Sequence, residues 1–348
     1  MKYLLSSAKY LFMPQSKKRL AYIDALRGLT MILVVYQHIN TFTGGATAYE
    51  TTWNEALTAF RMPLFFFISG FVAYKVLEWT PKLFSQRLLK KAQVQLIPTV
   101  VFSLLYTTVF LGETDFYVTY YWFTLVLFEF FLLYYTVCFI CGHNFLLRNI
   151  LLVILAVSGV GCASLKIGVD WEFYDSFSLG NVFKYFQFFV LGVLARQFEP
   201  VSKKILSNSY INAFAIILFF ASLALLTSDY VLDSSFLRLS IRWFIIRYAG
   251  LFMVLSLFYR YRDYFETNKT VSSAMQYIGR HTLDIYMLHY FLIVPNGDIA
   301  HRIHCIGNVP LEIFAIGALA IMNVSICLLI SQCIRNSKFL AKYLFGAK

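Results

Sequence analysis

Apolar residues run in long blocks along this chain, separated by short polar stretches. Blocks of roughly 17–25 residues are long enough to cross a bilayer as α-helices. They fall at 21–42, 58–78, 92–111, 120–140, 149–165, 181–197, 210–227, 237–258, 273–294 and 311–333. The fifth is short, and the eighth and ninth are interrupted by charge. No internal repeat, low-complexity segment or separate soluble stretch is visible between them. The pattern predicts an all-α fold, a polytopic integral membrane protein of about ten transmembrane helices. Its expected organisation is a cytoplasmic or interfacial segment over 1–19, a membrane domain over 20–334 and a basic cytoplasmic tail over 335–348. The opening "MKYLLSSAKYLFMPQSKKR" does not read as a signal peptide, because Lys9 splits its apolar run and no small-residue cleavage site follows. An interfacial helix is expected there instead.

Composition strengthens the membrane reading. Hydrophobic residues make up 59% of the 348, charged residues only 14%, and mean hydropathy is +0.65. Soluble domains are about half apolar at most. The 36 Phe and 24 Tyr suit lipid-facing and interfacial positions. The net charge of +12 is better explained by basic loops on one side of a membrane than by nucleic acid. Cysteines 138, 141, 162, 305, 327 and 333 lie mostly in or beside apolar runs, and Cys138 and Cys141 form a lone CxxC without a partner pair. No metal site is expected from them.

Loop charges alternate along the chain. One set carries Lys17, Lys18 and Arg19; Lys82, Arg87, Lys90 and Lys91; Arg148; Lys203 and Lys204; Arg260, Arg262 and Lys269; Arg335, Lys338 and Lys342. The other carries Glu50 and Glu55; Glu113 and Asp115; Asp170, Glu172 and Asp175; Asp229 and Asp233, with Lys166 and Arg302 as exceptions. The positive-inside rule places both termini in the cytoplasm and requires an even number of spans.

Charge inside the spans carries the candidate chemistry, since a charged side chain at mid-bilayer costs at least about 2.5–3.5 kcal/mol on insertion scales. In "YIDALRGLTMILVVYQHINTF", Asp24, Arg27, Met31, Val34, His38 and Thr41 recur at helical steps and share one face. His38 stands eleven residues beyond Arg27, roughly 16 Å further along the helix. These residues either pair and hydrogen-bond structurally or build a site running along one face. Arg61 opens the second predicted span, where it either snorkels to the interface or joins His38. Arg87, Lys90 and Lys91 precede the third span, as a topology signal or as a phosphate-binding cluster at a helix end. Glu129 lies mid-span and needs a partner or a proton. Arg238, Arg242 and Arg247 fall within one predicted span, and Asp284 and His289 within the ninth, beside Arg280 and His281.

Several of these stretches carry a family resemblance. "RLAYIDALRGLTMILVVYQH", "MPLFFFISGF", "RLLKKAQVQLIP", "YWFTLVLF", "FQFFVLGVLAR" and "YIGRHTLDIYMLH" resemble, in order, the motifs of the membrane-bound acyltransferase 3 family. They spread over residues 19–295. Lys90 stands where the family usually has a second Arg, Thr282 where Ser is usual, and Pro98 lies further from the basic pair than is common. The resemblance implies an enzyme of about ten core helices, here in a short form without an appended soluble domain. Such enzymes take an acyl group, usually acetyl, from cytoplasmic acyl-CoA. They pass it to a sugar hydroxyl in lipopolysaccharide, capsule or another cell-surface glycan or lipid-linked saccharide. The location implied is the cell membrane, in a bacterium the inner membrane.

On this reading Arg87, Lys90 and Lys91 hold the coenzyme phosphates. His38 acts as general base on the acceptor hydroxyl, its unperturbed pKa lying near neutrality. Arg61 or Arg242 stabilises the oxyanion, and Asp24 orients Arg27. Glu129 and His289 are further candidates. The competing readings are a transporter or flippase of a glycan or lipid intermediate, and a non-catalytic sensor or assembly subunit. Buried Arg, Glu and His also mark transport pathways, but neither repeated halves nor a matched pair of broken helices is apparent.

Overall fold

The computed structural model describes residues 19–44, 52–112, 120–165, 177–227, 241–267, 269–293 and 308–346. Most of those residues are helical, and none of them lies in a strand. In chain order the helices are α1 (Ala21–Gly44), α2 (Thr52–Ala73), α3 (Pro81–Tyr106, prolonged by a π turn, Thr107–Leu111), α4 (Trp122–Cys141) and α5 (Phe145–Leu165). There follow α6 (Leu179–Gln197), the short α7 (Glu199–Ser207), α8 (Ser209–Thr227) and α9 (Ile246–Arg260, led in by a π turn, Ile241–Ile245, and followed by a single helical turn, Arg262–Phe265). The last are α10 (Thr270–Arg280), α11 (Thr282–Leu288, running into a 3-10 turn, His289–Leu292), α12 (Val309–Arg335) and α13 (Lys338–Phe345).

Every predicted span has helical residues at its place, with three corrections. The third helix begins at Pro81, not near residue 92. Thr80 accepts a hydrogen bond from Leu83 N–H at 3.2 Å and Pro81 fills the first helical position, so Thr-Pro starts the helix well before the apolar run. Arg87, Lys90 and Lys91 therefore lie inside this helix and not ahead of it. The second helix begins at Thr52, so Arg61 lies well inside it instead of at its end. The ninth predicted span is broken at His281, which ends α10 with φ −110° and ψ 23°.

Six of the described helices, α2, α3, α4, α5, α8 and α12, are long and apolar enough to cross a membrane. Ten spans were expected. Among the others, α9 and the two halves of the broken ninth are short, and α1 is diluted by Asp24, Arg27, Gln37, His38 and Asn40. In α1 the polar residues turn inward: Asp24, Thr30, Gln37 and Asn40 are buried, as polar groups in a membrane helix must be.

The chain divides into two compact units. The first to consider comprises residues 20–65 and 203–334. Its main contact is α1 along α10, and it holds the α8–α9 pair and α11 beside α1. The α1–α10 approach rests on two glycines. A methyl group on Gly28 would overlap the carbonyl oxygen of Met275, and one on Gly279 would overlap that of Asp24. Only hydrogen at both positions lets the backbones come this close.

The other unit takes residues 66–202 and 335–348. Here α3 packs on α4, α5 on α6, and α13 on α3. Its core is aromatic: Phe66, Phe130, Phe186 and Phe189 form a connected cluster of tilted and stacked rings. Methyl groups on Gly70 and Gly192 would overlap the carbonyl oxygens of Phe189 and Phe67. Arg148, expected in a basic loop, is buried and donates to Gln197 Oε1 at 3.1 Å, with its guanidinium over the Tyr74 ring.

A histidine pair as the candidate active site

The Gly28–Gly279 contact fixes α1 against the broken ninth segment, and one face of α1 meets that segment twice. Near its start, Arg27 Nη2 donates to Thr282 Oγ1 at 3.4 Å. Further along, His38 Nδ1 lies 2.8 Å from His289 Nε2. The two ring planes are nearly parallel, 16° apart, and with centroids 5.0 Å apart the rings meet edge to edge along this bond. Arg27 and His38, expected on one face, thus both touch the segment 282–292.

The tautomers follow from the hydrogen bonds. His289 Nδ1 faces the carbonyl oxygens of Ile285 at 3.1 Å and Tyr286 at 2.8 Å. Carbonyls only accept, so His289 Nδ1 carries the proton. With the ring neutral, its Nε2 is an acceptor. His38 Nδ1–H must then be the donor in the 2.8 Å bond, which leaves the lone pair of His38 on Nε2. Tyr290 Oη lies 3.3 Å from that atom and donates to it. A hydroxyl-bearing molecule that displaced Tyr290 would meet a basic nitrogen.

Burial separates the two rings. His289 is wholly buried, whereas His38 is only part-buried. Asn323 Nδ2 donates to the His289 carbonyl at 3.3 Å, tying the turn to α12. Asp284, also buried, accepts from Ser331 Oγ at 2.5 Å and sits in the first turn of α11, where the helix dipole favours a carboxylate. Asp24 is buried in the first turn of α1. The Arg61 guanidinium lies within electrostatic reach of His38.

The remaining candidates lie elsewhere. Arg87, Lys90, Lys91 and Glu129 belong to the other unit. Arg87 and Lys91 are one helical turn apart on α3, against an aromatic wall: Arg87 lies 6.0 Å over the Trp79 ring and Lys91 Nζ 3.5 Å over Phe131. Lys90 is exposed on another side of the helix. The basic cluster is thus split into an inward pair and an outward cation. Glu129 Oε2, in α4, is buried and has no hydrogen-bond partner among the described residues. The side chain of Arg242, and all of Arg238, lie outside the described residues. Cys138 and Cys141 are buried free thiols in α4.

Sequence reasoning missed Tyr290, Thr282 as a partner of Arg27, Asn323 and Ser331. Asn323 and Ser331 had a signal, being polar positions inside an apolar span. Tyr290 had none beyond its place next to His289.

A family model described as an acyltransferase domain matches residues 20–332, which takes in both histidines and the basic face of α3. The chain belongs to the acyltransferase 3 family. It is a multi-pass membrane acyltransferase. No curated protein and no solved structure gives a significant match.

Proposed function

We propose that this membrane acyltransferase moves an acetyl group from acyl-CoA to a hydroxyl of a cell-surface glycan or lipid-linked sugar, with His38 as general base. The observation that carries the reading is the Nε2 lone pair of His38, the ring held by a bond at Nδ1 and Nε2 facing a hydroxyl. A base must reach its proton at hydrogen-bond distance, and Nε2 already does so with Tyr290.

In the proposed step the acceptor oxygen attacks the thioester carbonyl while His38 Nε2 takes its proton. The carbon–sulfur bond then breaks, and the coenzyme thiolate recovers the proton from His38. The products are the ester and free CoA thiol. Arg61 supports the developing oxyanion, given its charge and reach toward His38. Arg27 acts at the inner end of the same face, linked to Thr282, and Asp24 completes the charge balance of that turn.

Arg87 and Lys91 are proposed to hold the coenzyme phosphates, with Lys90 adding charge from its exposed side. Arginine suits this task because its planar fork binds phosphate in two places. Both termini are proposed to face the cytoplasm, where acyl-CoA resides, following the loop charges. The test is incubation of the purified protein with acetyl-labelled acetyl-CoA and surface glycan extract. Label is expected in the glycan with stoichiometric release of CoA thiol; glycan left unlabelled while acetyl-CoA is neither bound nor consumed would refute the reading.

A further inference from the structure

We infer that His289 is the positioning residue for His38: it fixes the reactive tautomer and spreads the positive charge that His38 acquires. The inference rests on His38 being the base, and it assigns a role to a group that substrate never touches. His289 is wholly buried and has both ring nitrogens committed, one to His38 and one to two carbonyls.

The logic is that of a triad whose third member is a helix end. An imidazole acts as a base through one nitrogen only if the other is held as a donor. In hydrolase triads a buried carboxylate does this. Here the acceptor is His289 Nε2, and behind it stand the carbonyls of Ile285 and Tyr286. These belong to the last turn of α11, where the dipole is negative, and the Ile285 carbonyl also accepts from the His289 backbone N–H. When His38 Nε2 takes a proton, the His38 Nδ1–H bond to His289 becomes charge-assisted and shortens. The proton on His289 Nδ1 is anchored by two carbonyls, so positive charge is drawn toward the helix end. No buried carboxylate is needed, and the dyad stays neutral between turnovers. The Asn323 bond to the His289 carbonyl holds the turn that presents the ring.

A purely structural His289 would fill space and tie a turn. It would not determine which nitrogen of His38 is protonated. The test compares His289→Leu with His289→Gln in nanodiscs. Leu removes the acceptor. Gln keeps it, since its carbonyl oxygen can accept from His38 while its amide N–H donates to the backbone carbonyls. His289→Leu is expected to lower kcat by about 10²- to 10⁴-fold, the range for losing a positioned base or its tautomer. KM for acetyl-CoA should be unchanged, and His289→Gln should recover most of the loss. Equal loss in both variants, or no loss in His289→Leu, overturns the inference while leaving His38 as base. Full turnover in His38→Ala instead overturns the base itself. If the Leu variant does not fold, ¹⁵N NMR of histidine-labelled wild-type protein decides. Neutral His38 should carry its proton on Nδ1; a proton on Nε2 contradicts the inference.

Discussion

His38 Nδ1 and His289 Nε2 meet at 2.8 Å although 251 residues separate them in the chain. The meeting depends on the close passage of α1 past α10, since each histidine lies beyond the glycine that sets the crossing. His38 is ten residues past Gly28, and His289 ten past Gly279. Helix α1 is continuous over its interval, while the other bends at His281 and tightens into a 3-10 turn. The bend brings His289 and Tyr290 to the same imidazole.

The crossing is testable by itself. Gly28→Ala and Gly279→Ala each place a methyl group against a backbone carbonyl, which cannot rotate away. Each should cost about 1–3 kcal/mol, the usual range for overpacking, and lower the thermal unfolding temperature in detergent. Gly317→Ala is the control, since nothing lies within 4 Å of a methyl group there, and it should leave stability unchanged. Wild-type melting of both glycine variants would contradict the close approach.

Donor binding should follow the split of the basic residues. Arg87→Ala is expected to weaken acetyl-CoA binding about ten- to a hundredfold, the value of a charge-assisted contact of about 1.5–3 kcal/mol. Lys90→Ala should weaken it less, because an exposed ammonium acts largely through screened charge. Raising salt should shrink the Lys90 effect and preserve the Arg87 effect. Equilibrium binding of CoA to each variant measures both, and unchanged affinity in Arg87→Ala would return the cluster to a role in topology.

Ser331→Ala should reduce stability with little change in turnover. It removes the hydroxyl that donates to buried Asp284, at a cost of about 1–3 kcal/mol. Thermal unfolding and steady-state kinetics on the same preparation separate the two effects. A large fall in kcat with unchanged melting would instead place Asp284 in the chemistry.

Much of this was legible in the sequence for physical reasons. Spanning helices announce themselves because lipid tolerates few polar groups, and each predicted span has helical residues at its place. The shared face of Arg27 and His38 was also readable, since helical period alone puts them in line. What failed were boundaries and pairings. Hydropathy located the apolar part of α3 but not its start, which Thr80 and Pro81 set by capping. It read 273–294 as one span because a break at His281 leaves the apolar content intact. The partnership of His38 with His289 depends on which helices cross, and no local pattern encodes that. The glycines that permit the crossing were present in both motifs, but a glycine in a membrane helix does not name its partner.

The most direct measurement is acyl transfer and CoA binding, assayed separately, on folded His38→Ala in nanodiscs. The account predicts CoA affinity within about threefold of wild type and a turnover lower by about 10²–10⁴. Transfer at the wild-type rate would contradict it, and loss of CoA binding together with turnover would place His38 in the donor site and not at the acceptor proton.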